Sequence, residues 1–231
     1  MGEVPKIVLP HGGYRKLVVF RKSDVVYEGT VAFCRRFLPA RGDRTVDQMV
    51  QAARSCKQNI AEGSSASGTS KETELKLTNV ARATLDELME DYRDYLVRNG
   101  FPIWDGEKAR KAREYARTRN DWSDWKELFE SRPAETLANL MLTICHQTSY
   151  LLGRMIARQE EDFTKHGGVR ERMHAARTAY RAEEFSRGLY SYLAGARTAE
   201  ELAGKAEELR REIARIVRGI ARGRGWEKQD E

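Results

Sequence analysis

Cysteine, proline and long apolar runs are all scarce in this chain. The three cysteines, Cys34, Cys56 and Cys145, are widely separated and odd in number, and no C-x-x-C pair occurs. They offer no disulfide framework, and a reduced compartment with each thiol as a small buried apolar group fits best. Only five prolines are present, so long helices are rarely interrupted. No apolar run reaches the roughly 18 residues that a membrane span needs. Val4–Pro10 is too short for a secretory signal and is broken by Pro5 and Lys6, so the cytoplasm is the expected location. Charge of one sign is also lacking: 41 basic and 35 acidic residues leave a net +6, mostly interspersed. That balance allows an anionic partner without requiring one.

What is present is helical periodicity. Lys6–Leu9 and Leu17–Phe20 look like strand fragments, split by Pro10 and Gly12–Gly13. From Ser23, a candidate cap, apolar residues recur at helical spacing through Val26, Phe33, Cys34, Phe37 and Leu38 to Pro39, and a short loop, Arg41–Arg44, follows. Thr45 and Gln48 form a capping-box pattern that opens a second helix. Its narrow stripe of Met49, Ala52, Ala53, Cys56 and Ile60 is rich in small residues, which permit close helix approach. Gly63 reads as its C-terminal cap, with Gly63–Thr69 as the following loop. Thr69 and Glu72 repeat the capping pattern before the longest early helix. Its apolar face carries Leu75, Leu77, Val80, Thr84, Leu85, Leu88, Met89, Tyr92, Tyr95 and Leu96, and Gly100 stops it. Such a helix is on the order of 40 Å long at ~1.5 Å per residue.

Residues 101–131 read as a connector clamped by Trp104, Trp122 and Trp125, with a short exposed helix over Glu107–Arg119. A further long helix starts at about Pro133, a favoured first-turn residue. It runs through Leu137, Leu140, Met141, Ile144, Leu151, Leu152 and Ile156 to a break at Gly167–Gly168. Val169–Leu193 forms a fifth segment, and a last helix begins at Thr198 with Glu201 three residues on.

Two stretches carry a family resemblance. Thr45–Gly63 (TVDQMVQAARSCKQNIAEG) holds a Q-x-x-R-A/S-x-x-x-N-I-x-E-G core in Gln51, Arg54, Asn59, Ile60, Glu62 and Gly63, and Thr69–Leu96 (TSKETELKLTNVARATLDELMEDYRDYL) follows it. Together they resemble the four-helix-bundle family that includes proteins encoded in ribosomal RNA intervening sequences and the accessory variability protein of diversity-generating retroelements. The stretch Ala138–Met173 resembles the suffix of a longer branch of that family. The resemblance covers roughly residues 14–175. It implies an up-down helical bundle assembled as a ring, a pentamer in the retroelement members. It also implies binding of nucleic acid and of a reverse transcriptase, and no catalysis. On this reading residues 14–165 form the bundle, and 166–231 hold the end of the suffix and a helical extension.

Several constellations have bland readings. Gly63–Ser70 looks like a phosphate-binding loop, but Thr69 occupies the lysine position, Lys71 comes two residues late, and a helix precedes it. A flexible turn is the better reading. Glu171-x-x-His174 has the spacing of di-iron bundles, but it is a single copy. It reads as a helix-surface contact. His11, His146 and His166 offer no ligand spacing, and His146 reads as a hydrogen-bonded packing residue beside Cys145. Asn59 and Glu62 read as fold-specifying. No serine or acid pairs with a histidine at an interpretable position, so no enzyme, cofactor or metal is expected.

The charged residues divide into two groups. Arg54 and Lys57 share a face of the second helix, with Lys71, Lys76 and Arg82 on the third. Glu72, Glu74 and Asp86 lie close, so surface ion pairs of little worth compete with a phosphate-facing surface. In the last helix Arg211, Arg215, Arg218 and Arg222 are spaced four, three and four apart and line one face. Leu209, Ile213, Ile216, Val217 and Ile220 line another. Between Arg210 and Arg224 the only acid is Glu212. This basic amphipathic helix can contact phosphate, a lipid surface or a protein. The lack of an aromatic before Trp226 weighs against membrane insertion. The expectation is therefore an all-α homo-oligomer that binds RNA or DNA without sequence preference and without catalysis. A protein–protein scaffold is the alternative, and a small enzyme built on the connector tryptophans a third reading.

Overall fold

The computed structural model describes Val8, residues 11–38 and residues 44–223, with side chains to Arg218. All of the expected strand at Lys6–Leu9 except Val8, most of the loop Arg41–Arg44, the side chains of Ile220 and Arg222, and Trp226 lie outside the described residues. What is described is all-helical: α1 (Val18–Phe37), α2 (Arg44–Ala66), α3 (Lys71–Arg98), α4 (Gly106–Arg117), α5 (Lys126–Ser131), α6 (Ala134–His166), α7 (Val169–Ala194) and α8 (Ala199–Gly223). Two 3-10 turns, Tyr14–Lys16 and Trp122–Asp124, complete it. Among the described residues no helix is long and apolar enough to cross a membrane. The chain divides into two compact units, one ending at Arg172 and the other beginning at Met173.

In the first unit α1 packs against α2 and α6, and α3 packs against the same two helices. The neighbours run antiparallel. Asp24 of α1 meets Lys57 of α2, and Lys22 meets Gln147 of α6. Glu74 and Thr78, early in α3, meet Gln159, late in α6. The core between the four holds Val25, Val26, Phe33, Met49, Ala53, Cys56, Ile60, Leu85, Leu88, Tyr92, Leu137, Met141, Ile144 and Cys145, all buried. Phe33 lies edge-on to Tyr92 and Tyr95, with ring centroids 5.2 and 4.9 Å away. The Tyr92 hydroxyl donates to Thr30 Oγ1 at 3.0 Å, so the fully buried polar tip in this aromatic cluster is satisfied.

Several local expectations are corrected. Leu17–Phe20 is not a strand: α1 starts at Val18, and Ser23 lies inside it, donating to the Phe20 carbonyl. The β-branched run favours strand locally, but Val19, Ser23, Val26, Thr30 and Phe33 fall on one buried helical face, and that burial prevails. Helix α2 starts at Arg44, so Thr45 sits in its first turn rather than at its cap. Gly63 does not end α2, which continues to Ala66. A Cβ at Gly63 would lie 3.3 Å from the Glu74 carbonyl oxygen and 3.4 Å from Leu77 Cβ, so this glycine marks the close approach of α2 and α3. The cap of α3 is Ser70, not Thr69: Ser70 Oγ accepts the Thr73 N–H at 3.1 Å. Val80 is exposed, and Thr78 and Ala81 take its place on the buried face.

The other end of α3 follows its sequence signal. Gly100 adopts φ +67°, and the Phe101 and Gly100 N–H groups donate back to Leu96 and Val97, a Schellman arrangement that only glycine enters without strain. The connector then docks on α1 and α6. Trp125 is buried edge-on to Tyr115, and Trp122 packs on Phe129. Asn139 accepts the Trp104 N–H and donates to the Pro102 carbonyl, which fixes the chain as it leaves α3.

In the second unit α7 and α8 meet at their turn. Tyr192 donates to Glu208 at 2.6 Å, and Lys205 donates to the Tyr192 carbonyl at 2.7 Å, its ammonium 4.8 Å from the Tyr192 ring centre. Thr198 caps α8 by accepting the Glu201 N–H, while Glu201 accepts the Arg197 N–H. Large apolar side chains stay exposed along both helices, among them Tyr180, Phe185, Tyr190, Ile213, Ile216 and Val217.

Candidate nucleic-acid interface

The cations on the four packed helices do not form one surface. Lys57 turns toward α1, where it pairs with Asp24 and lies 4.9 Å from the Tyr27 ring centre. Arg54, three residues earlier, is exposed and has no carboxylate partner among the described residues. Lys71 is held between Glu74 at 3.0 Å and Asp162 at 3.2 Å. Burial lowers its proton affinity, but hydrogen bonds and charge from the two carboxylates overcome this, so its pKa is raised. Lys76 pairs with Glu72 at 2.7 Å on the exposed face of α3, and this pairing depresses the Glu72 carboxyl. Arg82 is exposed beside Gly153 of α6 and lacks a carboxylate partner among the described residues. Phosphate contact by Lys57 or Lys71 therefore requires an existing ion pair to open, whereas Arg54 and Arg82 stand ready.

Helix α8 presents its cations differently. Arg211, Arg215 and Arg218 are exposed and line one shallow surface with Gly204, Glu208 and Glu212. Arg215 pairs with Glu212 at 3.2 Å, and Arg210 lies 3.8 Å from Glu207. Arg211 and Arg218, two turns apart, have no carboxylate partner among the described residues. An unpaired guanidinium offers five donors in a fork that suits phosphate oxygens.

The remaining candidates take structural places. Glu171 accepts the Gly168 N–H at 2.9 Å and caps the start of α7; its own backbone N–H and then this bond hold its carboxyl below the usual range. His146 is not a packing residue. It is exposed on α6, its Nε2 lies 3.3 Å from the Arg93 guanidinium, and partial burial with the Arg93 charge lowers its pKa. Asn59 donates to the Ser55 carbonyl of its own helix, and Glu62 is exposed. The sequence Gly63–Ser70 ends one helix and caps the next. All three cysteines are buried and free. Burial pushes the Cys34 and Cys56 thiols up to about 12 and Cys145 well above its ordinary value, which keeps all three protonated and weakly nucleophilic.

Sequence periodicity missed one feature: Lys22, on the buried face of α1, only 3% exposed. Its ammonium donates to the Ala116 carbonyl at 2.8 Å and to Gln147 Oε1 at 2.9 Å. No carboxylate pairs with it among the described residues, and burial lowers its pKa to about 8. The signal was available, since this lysine falls between Val19 and Val26 in register with the apolar face.

The class these observations define is, over the described residues, an all-helical protein of two compact units, the second carrying exposed arginines. No protein-family model, curated protein or solved structure matches the chain.

Proposed function

We propose that the protein is a non-catalytic, nucleic-acid-binding accessory protein that acts as a homo-oligomer in the cytoplasm. Its first unit is read as an up-down four-helix bundle of the family it resembles, and a ring, a pentamer by that resemblance, would multiply each basic surface. The observation that carries this reading is the pair of exposed guanidiniums of Arg211 and Arg218 on α8, without a carboxylate partner among the described residues, with Arg215 between them. Arg54 and Arg82 supply a second pair of cations without a carboxylate partner among the described residues. Contacts of this kind go to phosphates and carry no base sequence, so RNA or DNA binding without sequence preference is expected. A reverse transcriptase is a further partner on the strength of the resemblance alone.

The test is binding of a labelled structured RNA and of duplex DNA across a salt series, beside a chain truncated after Arg197. Binding that weakens steeply with salt and drops on truncation supports the reading. Binding untouched by truncation moves the contact to Arg54 and Arg82. No binding at physiological salt favours a protein–protein scaffold, for which the exposed Tyr180, Phe185, Ile213, Ile216 and Val217 would supply the contact. The oligomer is tested separately: a monomeric mass by light scattering would sink it.

A further inference from the structure

Lys22 belongs to a groove bounded by α1, α4 and α6, within the first unit. The groove has a volume of about 440 Å³ and is lined mainly by carbon, with Val18, Tyr150 and Leu151 among its walls. Volumes of this order are those of small-molecule pockets. Val18 is 44% exposed and Tyr150 65%, so two large apolar side chains stand in water at its rim. Arg113 and Arg117 of α4 line the same groove, both exposed and without a carboxylate partner among the described residues.

The charge left uncompensated in this groove is all of one sign. Gln147 is satisfied at both ends, its Oε1 accepting from Lys22 and its Nε2 donating to the Arg113 carbonyl. The Thr143 hydroxyl donates to the Asn139 carbonyl. The His146 ring already faces Arg93. Among the described residues, the third N–H of Lys22 and the guanidiniums of Arg113 and Arg117 are left as charged donors without an acceptor, beside the neutral Tyr150 hydroxyl. A buried ammonium without an opposite charge is costly, and an anion arriving beside it relieves that cost. A ligand that is acceptor-only at one end and apolar along its body matches both halves of the groove.

We propose that this groove binds a small carboxylate carrying an apolar body, of the size of a medium-chain fatty acid, with the carboxylate held by Lys22, Arg113 and Arg117 and the body lying over Val18, Tyr150 and Leu151. Arginine takes carboxylates in a bidentate fork, and Lys22 adds a short charge-assisted bond from below. The site is independent of the arginines on α8 and stands or falls apart from nucleic-acid binding.

Isothermal titration of the full-length protein with decanoate and with decanol tests this at neutral pH. The two probes share a tail and differ in the charged head. One decanoate should bind per chain, at least tenfold more tightly than decanol. Lys22→Met and the double variant Arg113→Ala/Arg117→Ala should each weaken decanoate tenfold or more and leave decanol unchanged. Because Lys22 is buried, its variant is checked by thermal melting first. The double variant, on the exposed face of α4, decides the matter if Lys22→Met does not fold. Equal affinity for the two probes, unchanged decanoate binding in the folded variants, or no heat in the millimolar range would each overturn the proposal.

Discussion

Replacing Lys22 by methionine should change how stability depends on pH. In the folded chain the ammonium sits 3% exposed with two neutral acceptors and, among the described residues, no carboxylate, and burial lowers its pKa from 10.5 to about 8. Arg113 and Arg117 of α4 and His146 of α6 line the same groove and add no negative charge. The unfolded chain therefore holds this proton to higher pH than the folded one. Stability is reduced below pH 8 and recovers as pH rises from the folded value toward the unfolded one. Integrating proton uptake gives a gain of about 1.3 kcal/mol between pH 7 and pH 9, with an upper limit of about 3 kcal/mol for the whole window. The buried thiols act in the opposite direction above their unfolded pKa, since Cys34 and Cys56 are raised to about 12. Both proteins carry them, so they cancel in the difference. Urea unfolding of the two proteins at pH 7 and pH 9 should show the wild type gaining about 1.3 kcal/mol on Lys22→Met, or roughly 3–5 °C in Tm. Parallel pH curves would refute the idea that this ammonium is desolvated and unpaired.

Two further substitutions probe the core. Tyr92→Phe removes the buried hydroxyl that donates to Thr30 and should cost about 1 kcal/mol by urea denaturation, with little change in the m-value. Gly63→Val places carbon against the Glu74 carbonyl and Leu77 Cβ, where backbone must yield, and should cost about 1–3 kcal/mol. If it is tolerated without loss, the close approach of α2 and α3 at that point is wrong.

Much of the fold was legible because apolar spacing and punctuation agree. Gly100 marks the end of α3 by the backbone conformation it permits, and the small stripe of Met49, Ala52, Ala53, Cys56 and Ile60 is the buried face of α2. The connector tryptophans also take the clamping place their size suggests. Errors arose where two signals share one residue. Glycine reads as a helix cap or as a close contact, and Gly63 is the second. Threonine and serine before a helix compete for the cap, and Ser70 wins over Thr69. A run of valines reads as strand until its longer period is followed into α1. The charged positions were harder, because a lysine's role depends on which carboxylate the fold brings to it. Asp24 and Asp162, which hold Lys57 and Lys71, are far away in sequence. Lys22 shows the converse, a buried cation that meets no carboxylate among the described residues.

The proposal of phosphate contact by α8 is tested most directly by the salt dependence of RNA binding in the wild type and in Arg211→Ala/Arg215→Ala/Arg218→Ala. Each phosphate contact contributes about 0.7–0.9 to the slope of log K against log salt. The account predicts a slope smaller by roughly 2–3 in the triple variant, with weaker binding at every salt concentration. An unchanged slope and affinity would contradict it.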